Sequence, residues 1–442
     1  MQCRLIIKDF GPIDFVDLNL RNVNVFIGPQ ASGKSAIAKI YTILKAPRKF
    51  IKISDKGLTE ETSIQKDDFK HILEEYNLVS FLKSESEISF ESELHNINYK
   101  DGELVYQPKL RKKIDHLISV EKDFDSSLEL IKTEFKEISE KFIFFDIRVD
   151  SILEESAGKT YDYGRKNKFK KLSKQNFSRV IDVINNIENI LSTNAALYIP
   201  AERNFINIIK NFSLNLIFNK VPIPKHILSF GAELEKSSIH QIDLSFLHEE
   251  LIYKSVNGED RIFMDDEHSI KLIEAASGIQ SVLPILIPIL SIKNSLDHRS
   301  FVIEEPELNL FPLAQYELIK LLESTRREAY WEDYGTIHTY TTHSPYILSA
   351  INNLLYANKV KTLLGSSESD KKLLKQVEKI TSAEINPYYF TAYEIYNGKA
   401  ESIFDRSIGL IRENYIDNSS DKMGDDFDAL TEVMEKLKHT TA

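Results

Sequence analysis

A chain of 442 residues is too long for one compact core and points to two or three domains. Lys and Arg number 56 against 67 Asp and Glu, a net charge of −11, which argues against a protein that coats DNA or anionic membrane over its whole surface. A hydrophobic fraction of 42% excludes global disorder, and the single cysteine, Cys3, excludes an internal disulfide or a cysteine-based zinc site. The N-terminal residues Met1–Gly11 carry no apolar core of a signal peptide. The strongest apolar run, Val282–Ile292, is broken by Pro284 and Pro288 and is far shorter than the roughly twenty residues of a membrane span. The composition fits a cytoplasmic protein with no membrane segment.

The chain opens with three short strands, Leu5–Ile7, Val16–Leu20 and Val23–Ile27. A glycine loop, Gly28–Gly33, follows, and then helical spacing from Lys34 to Leu44 through Ile37 and Ile40. The stretch Ile88–Gln107 predicts a β-hairpin turning at Asp101-Gly102. Beyond it a seam at Leu110, Ile114, Leu117, Glu121, Phe124, Leu128, Ile131, Phe135, Ile138 and Phe142 alternates by four and three, the coiled-coil period. A second seam runs through Phe177, Val180, Ile184, Ile187 and Leu191. The two form either an antiparallel helical arm or two amphipathic helices of an ordinary helical domain. Leu251–Met264 predicts a hairpin turning at Asn257-Gly258, Val282–Ile292 a buried helix, and Phe301–Ile303 and Ile337–Thr342 strands. A hairpin around Asn397-Gly398 precedes a polar, acidic helix from about Met423.

Gly28-Pro29-Gln30-Ala31-Ser32-Gly33-Lys34-Ser35 fits the phosphate-loop pattern G-x-x-x-x-G-K-[ST] at every fixed position. Two glycines let the backbone curl so that successive N–H groups face phosphate oxygens, and the helix beginning at Lys34-Ser35-Ala36 adds its positive end. Lys34 supplies a point charge for the β- and γ-phosphates, and the Ser35 hydroxyl suits Mg²⁺. The strand Phe301–Ile303 runs into Glu304-Glu305-Pro306-Glu307. Two adjacent carboxylates there suit two roles, Glu304 orienting the magnesium shell and Glu305 polarising the attacking water. Ala276-Ser277-Gly278-Ile279-Gln280 opens the apolar helix with a second phosphate-competent N-terminus, and His343 follows a strand at a position able to reach a γ-phosphate.

Phe10-Gly11-Pro12-Ile13, the phosphate loop, Ala276–Gln280, Ile303–Pro312 and Thr342-His343-Ser344-Pro345 occur in this order. Together they resemble the ABC-type ATPase heads of the RecF, SMC and OLD group, and most closely the stand-alone ATPases of bacterial anti-phage systems such as PARIS and Septu. The resemblance implies an α/β ABC-type P-loop head with a mixed β-sheet, built from residues 1–46 and 197–365. A mainly helical, arm-like insertion with a β-hairpin would occupy 47–196, and a hairpin plus acidic helix 366–442. It implies ATP and Mg²⁺ as ligands. Residues Gly28 to Ala36, with Ser277, Gly278 and Gln280, would bind nucleotide, and Ser35 and Glu304 the metal. Lys34, Glu305 as base and His343 as switch histidine would be catalytic.

In that group the Ser277-Gly278 signature acts on the nucleotide of an opposing copy, so the resemblance implies a head-to-tail homodimer or a higher homo-oligomer. The signature reads Ser-Gly-Ile-Gln rather than Ser-Gly-Gly-Gln, and the first Walker B acid is Glu304 rather than Asp. These departures point to slow hydrolysis. The group's Q-loop glutamine is not identified; Gln65 is no more than a weak candidate. OLD-type relatives append a Toprim nuclease, but fewer than a hundred residues follow His343 and hold no such metal constellation. The expectation is an ATPase that controls a separately encoded effector, a Toprim or HNH nuclease, in phage defence. The alternative is a RecF- or SMC-like repair ATPase that binds DNA.

Three features stand outside these motifs. Arg165–Lys174 holds six basic residues near Tyr161, Tyr163 and Phe169, either a nucleic-acid contact or a solvated loop. Leu197–Arg203 reads as a strand entering a loop, with Arg203 either near the nucleotide or paired with Glu202. Asp425, Asp426 and Asp428 read as a solvated helix face rather than a metal site.

Overall fold

The computed structural model describes residues 3–46, 62–64, 66–92, 95–108, 196–237, 239–265, 267–292, 300–326, 336–365, 367–381 and 383–440. The two seams between 110 and 191, the basic run Arg165–Lys174 and Gln65 lie outside the described residues.

The chain begins with an antiparallel pair, β1 (Cys3–Phe10) and β2 (Ile13–Leu20), followed by β3 (Val23–Ile27) and α1 (Lys34–Leu44). Next come β4 (Thr62–Ile64), α2 (Lys66–Glu75), β5 (Leu82–Glu91), β6 (His95–Lys100) and β7 (Glu103–Pro108). After β8 (Leu197–Ile199) come α3 (Phe205–Phe218) and α4 (Lys225–Glu235), then β9 (Gln241–Asp243), β10 (Ile252–Val256), β11 (Glu259–Phe263) and β12 (Ser269–Lys271). The run α5 (Ser277–Ile292), β13 (Ser300–Glu304), α6 (Pro312–Thr325), β14 (Ile337–Thr341), α7 (Pro345–Leu363) and α8 (Glu368–Ile380) completes the middle of the chain. The last elements are β15 (Phe390–Tyr396), β16 (Lys399–Ser402), the short pair β17 (Phe404–Asp405) and β18 (Leu410–Ile411), and α9 (Tyr415–Thr440).

One mixed, twelve-stranded sheet organises the protein, in the order β4-β7-β6-β5-β1-β2-β16-β15-β3-β14-β13-β8. Strands β15, β3, β14, β13 and β8 are mutually parallel, whereas β4 through β2 form an antiparallel run on the other side. A separate four-stranded sheet, β12-β11-β10-β9, packs on the α5 side. Strands β5–β7 extend the twelve-stranded sheet outward from β1. Strand β15, from late in the chain, sits in the middle of the sheet beside β3. A hydrophobic pattern shows that a strand has a buried face but not which edge it joins.

The parallel strands are buried on both faces, and alternation assigns their side chains. Val23, Val25, Ile27, Phe301 and Ile303 face the layer of α5, α6 and α7, while Phe26 and Val302 face α1. Helix α1 forms because Ala36, Ile37, Ile40, Tyr41 and Leu44 recur at helical spacing, and all are buried. Each of Ile37, Ile40 and Leu44 contributes about 1.5–3 kcal/mol by leaving water. The Asp101-Gly102, Asn257-Gly258 and Asn397-Gly398 turns all have two successive positive φ angles, as two-residue hairpins of the primed type require. The expected hairpin at 88–107 is a meander of β5, β6 and β7, and the last helix starts earlier than expected, at Tyr415. Asp425, Asp426 and Asp428 on that helix are exposed, as a solvated face requires.

A buried ionic network locks α6 to the start of β14. The Glu323 carboxylate accepts from Arg326 Nε at 2.9 Å and Tyr340 Oη at 2.7 Å, with His338 Nδ1 at 3.0 Å. Burial alone raises the Glu323 pKa, but His338, Arg326 and the Tyr340 hydroxyl outweigh it and bring the group to about 2.

Candidate functional site

The site lies outside the carboxyl ends of β3, β13 and β14, where parallel sheets bind ligands. Its first component is the loop between β3 and α1. Gly28 takes φ 142°, and a Cβ there would stand 2.1 Å from the Ile395 carbonyl oxygen on β15. Gly33 takes φ 104° over the Phe10–Ile13 turn, where a Cβ would stand 3.0 Å from Ile13 Cγ1. The Phe10-Gly11-Pro12-Ile13 motif is therefore the floor of the loop.

No side chain caps the N-terminus of α1, and no acid occupies its first turn, so its leading N–H groups are left for an anion. Gln30, Ala31 and Ser35 are exposed at the mouth, and the buried Ser32 hydroxyl has no hydrogen-bond partner. Lys34 is buried and folds back to donate to the carbonyls of Gly28 at 2.9 Å and Pro29 at 2.8 Å. Burial lowers its pKa to about 8, against the pull of Glu305, Glu304 and Glu307.

The second component is the acidic end of β13. Glu304 is buried, and burial raises its pKa, with the Tyr198 and Ser35 hydroxyls and the Lys39 charge acting the other way. Its Oε1 has no hydrogen-bond partner. A buried carboxylate oxygen without a partner, beside a serine hydroxyl, is a hard-oxygen donor set that fits Mg²⁺, an ion that takes one or two carboxylates plus substrate phosphates. Among the described residues no group of three or more His, Cys, Asp or Glu side chains is arranged to hold a metal by itself.

Glu305 takes φ 41°, a left-handed conformation that costs a residue with a Cβ about 1–2 kcal/mol. Its N–H donates to the Thr341 carbonyl at 2.9 Å. Its carboxylate is partly open, with Oε1 3.7 Å from His343 Nε2. Burial, and then the Lys34 charge, lower the His343 pKa below its ordinary value, so the imidazole is neutral at pH 7. Glu307 Oε1 accepts from Thr342 Oγ1 and from the His343 backbone N–H, each at 2.8 Å, which fixes the histidine loop on the β13 loop.

The third component is the N-terminus of α5. Ala276 and Ser277 are exposed there, and Gly278 passes so close to the β13 loop that a Cβ would lie 2.7 Å from the Asn309 carbonyl oxygen. Gln280 donates its amide to the carbonyls of Ala275 at 2.8 Å and Ile273 at 3.2 Å, bracing the turn before the helix.

The fold thus gathers Lys34, Glu304, Glu305 and His343 around one mouth, and sets Ser277-Gly278 on the flank of the β13 loop. Sequence reasoning did not assign Glu307 or Tyr198, and it left Arg203 either near the nucleotide or in a structural pair with Glu202. Arg203 is fully buried and donates to backbone carbonyls. Glu307 was visible only as a third acid after the strand; nothing in the sequence pairs it with Thr342.

A family profile described as the AAA ATPase domain matches residues 1–348, so the chain belongs to that family and is an ATPase. No curated protein sequence matches it. Among solved structures, the SMC head domain from Thermotoga maritima is 12% identical, with 91% of this chain and 98% of that chain covered and a TM-score of 0.35. The Smc head domain with an extended coiled coil bound to the C-terminal domain of ScpA, from Pyrococcus furiosus, is 12% identical over 90% of this chain and 95% of that one, with a TM-score of 0.32. The recombination mediator protein RecF is 13% identical over 91% and 98%, with a TM-score of 0.30. Among the described residues no helix is long and apolar enough to cross a membrane.

Proposed function

We propose that this chain is an ABC-type head that binds ATP with Mg²⁺ at the 28–36 loop, hydrolyses it slowly through Glu305, and works as a switch between single and joined copies. The observation that carries the reading is the convergence of a partly open carboxylate, Glu305, and the His343 imidazole 3.7 Å from it on the mouth where Lys34 sits. Phosphates entering the loop meet the free N–H groups of α1 and draw Lys34 off its carbonyl partners. Ser35 and Glu304 would hold the magnesium ion, which neutralises charge on the phosphates when bound. Glu305 then accepts a proton from the water that attacks the γ-phosphorus, the bond to the β-γ bridging oxygen breaks, and ADP and phosphate leave. His343 stays close enough to sense the γ-phosphate.

The exposed Ser277 at the α5 N-terminus supports a second copy as the owner of the phosphate it meets. So do the apolar side chains Phe311 and Leu313 where the β13 loop enters α6, 78% and 64% exposed. In this reading ATP joins two heads head to tail, and the joined state is what a separately encoded effector, a nuclease of an anti-phage system, responds to. Sedimentation of Glu305→Gln with and without ATP tests it: an ATP-dependent dimer is expected, and a monomer at saturating ATP contradicts it. The rival reading, a RecF- or SMC-like DNA-repair ATPase, draws on the basic run Arg165–Lys174. ATP-dependent DNA binding that weakens steeply with salt would favour it.

A further inference from the structure

Arg203 is among the largest fully buried side chains of the described residues, and among those residues its guanidinium meets no carboxylate at hydrogen-bond distance. Every hydrogen bond it makes goes to a backbone carbonyl. Nε donates to Ser281 in the second turn of α5 at 2.7 Å, and Nη1 to Glu304 at 2.8 Å and to Pro200 at 3.2 Å. Nη2 donates to Glu305 at 2.9 Å. Burying a guanidinium is costly, and here it lowers the pKa to about 10 despite the nearby Glu307, Glu305, Glu304 and Glu202. A cost of that kind is retained where a planar five-donor fork does something an apolar side chain cannot.

What the fork does follows from its partners. It ties the first turns of α5, whose exposed N-terminus carries Ser277-Gly278, to the two consecutive carbonyls that flank the Glu305 Cα. Glu305 is the residue held at φ 41°, and Arg203 on its carbonyl with Thr341 on its N–H fixes both of its peptide groups. An isolated left-handed glutamate would relax toward the ordinary region; between these two clamps its side chain stays directed toward His343. A second path runs beside the first, since Asn309 Nδ2 donates to Ser281 Oγ at 3.0 Å and that hydroxyl donates to the Ser277 carbonyl at 2.9 Å.

We propose that Arg203 is a positioning residue for hydrolysis: it sets the backbone of Glu305 and couples that setting to the position of the α5 N-terminus. Displacement of α5, as when Ser277-Gly278 engage a phosphate, is carried by Nε to a group whose other nitrogens hold Glu304 and Glu305. The inference rests on Glu305 as the base.

The test measures kcat and KM for ATP, together with ATP affinity by calorimetry, in Arg203→Lys and Arg203→Met, at a temperature where both are folded by circular dichroism. Lysine keeps the charge and part of the bonding but loses the fork. The expected result is a loss of kcat of about a hundredfold, the scale of a misplacement near 1 Å, with KM and ATP affinity within about twofold. The Arg203→Lys/Glu305→Gln double variant should turn over no more slowly than Glu305→Gln alone, because Arg203 acts through Glu305. Wild-type kcat in folded Arg203→Lys overturns the inference, as does a parallel loss of affinity and turnover. Failure of both variants to fold makes Arg203 a stability element only and overturns it equally. If Glu305→Gln itself hydrolyses ATP at the wild-type rate, the base assignment fails instead; if Glu305→Gln is inactive and Arg203→Lys is normal, only the positioning role fails.

Discussion

The phosphate loop and the carboxylate loop face each other across one mouth and are held in opposite ways. The loop at 28–33 is shaped by its own glycines, closed by its own lysine on its own carbonyls, and followed directly by the helix that completes it. The loop at 304–309 is shaped from outside. Arg203, contributed by the turn after β8, holds its carbonyls, Thr341 holds the Glu305 N–H, and Glu307 reaches back to Thr342 and His343. A binding loop can be self-contained because it presents backbone N–H groups. A catalytic carboxylate must be aimed, and aiming needs supports from several elements.

The largest expected effect falls on the carboxylate side. Glu305→Gln should lower single-turnover hydrolysis by about 10²–10⁴-fold, the usual worth of a general base, with ATP still bound. On the other side, Gly28→Ala places a Cβ against the Ile395 carbonyl and should abolish nucleotide binding by calorimetry while the far side of the sheet stays folded. Lys34→Ala, which keeps the loop, should weaken ATP binding by about tenfold to a hundredfold, the scale of hydrogen bonds to a charged group. An ATP affinity equal to wild type in Lys34→Ala would break the contrast at its simplest point.

Smaller effects sharpen the comparison. The Glu323 network lies at the start of β14, away from both loops, so Glu323→Ala should cost about 3 kcal/mol by denaturant titration without changing ATP affinity. Its pKa falls from 4.5 to about 2 on folding, so its contribution is complete above pH 4.5 and is lost as pH drops toward 2. Lys34 carries the smallest signal. Its pKa of about 8 should rise when phosphates arrive, so ATP binding at pH 8–9 should take up a fraction of a proton. Calorimetry in buffers of differing ionisation enthalpy would show it, and Lys34→Arg should remove it.

The same contrast explains what the sequence made legible. The phosphate loop, α1 and the three paired-turn hairpins are contiguous features whose spacing states their geometry. Glu304, Glu305 and His343 were readable as residues following strands. Their supports were not, because Arg203 and Glu305 are far apart in the chain and meet only when β8 pairs with β13. The placement of β15 beside β3, and of β5 beside β1, was likewise invisible, since alternating hydrophobicity fixes a strand's faces and not its neighbours.

The central claim is that ATP held by the 28–36 loop is hydrolysed through Glu305. Its most direct test is conversion of pre-bound radiolabelled ATP to ADP in a single turnover, comparing the wild-type chain with Glu305→Gln at equal occupancy. The account predicts slow conversion by the wild type and at least about a hundredfold slower conversion by the variant. Equal rates at equal occupancy would contradict it.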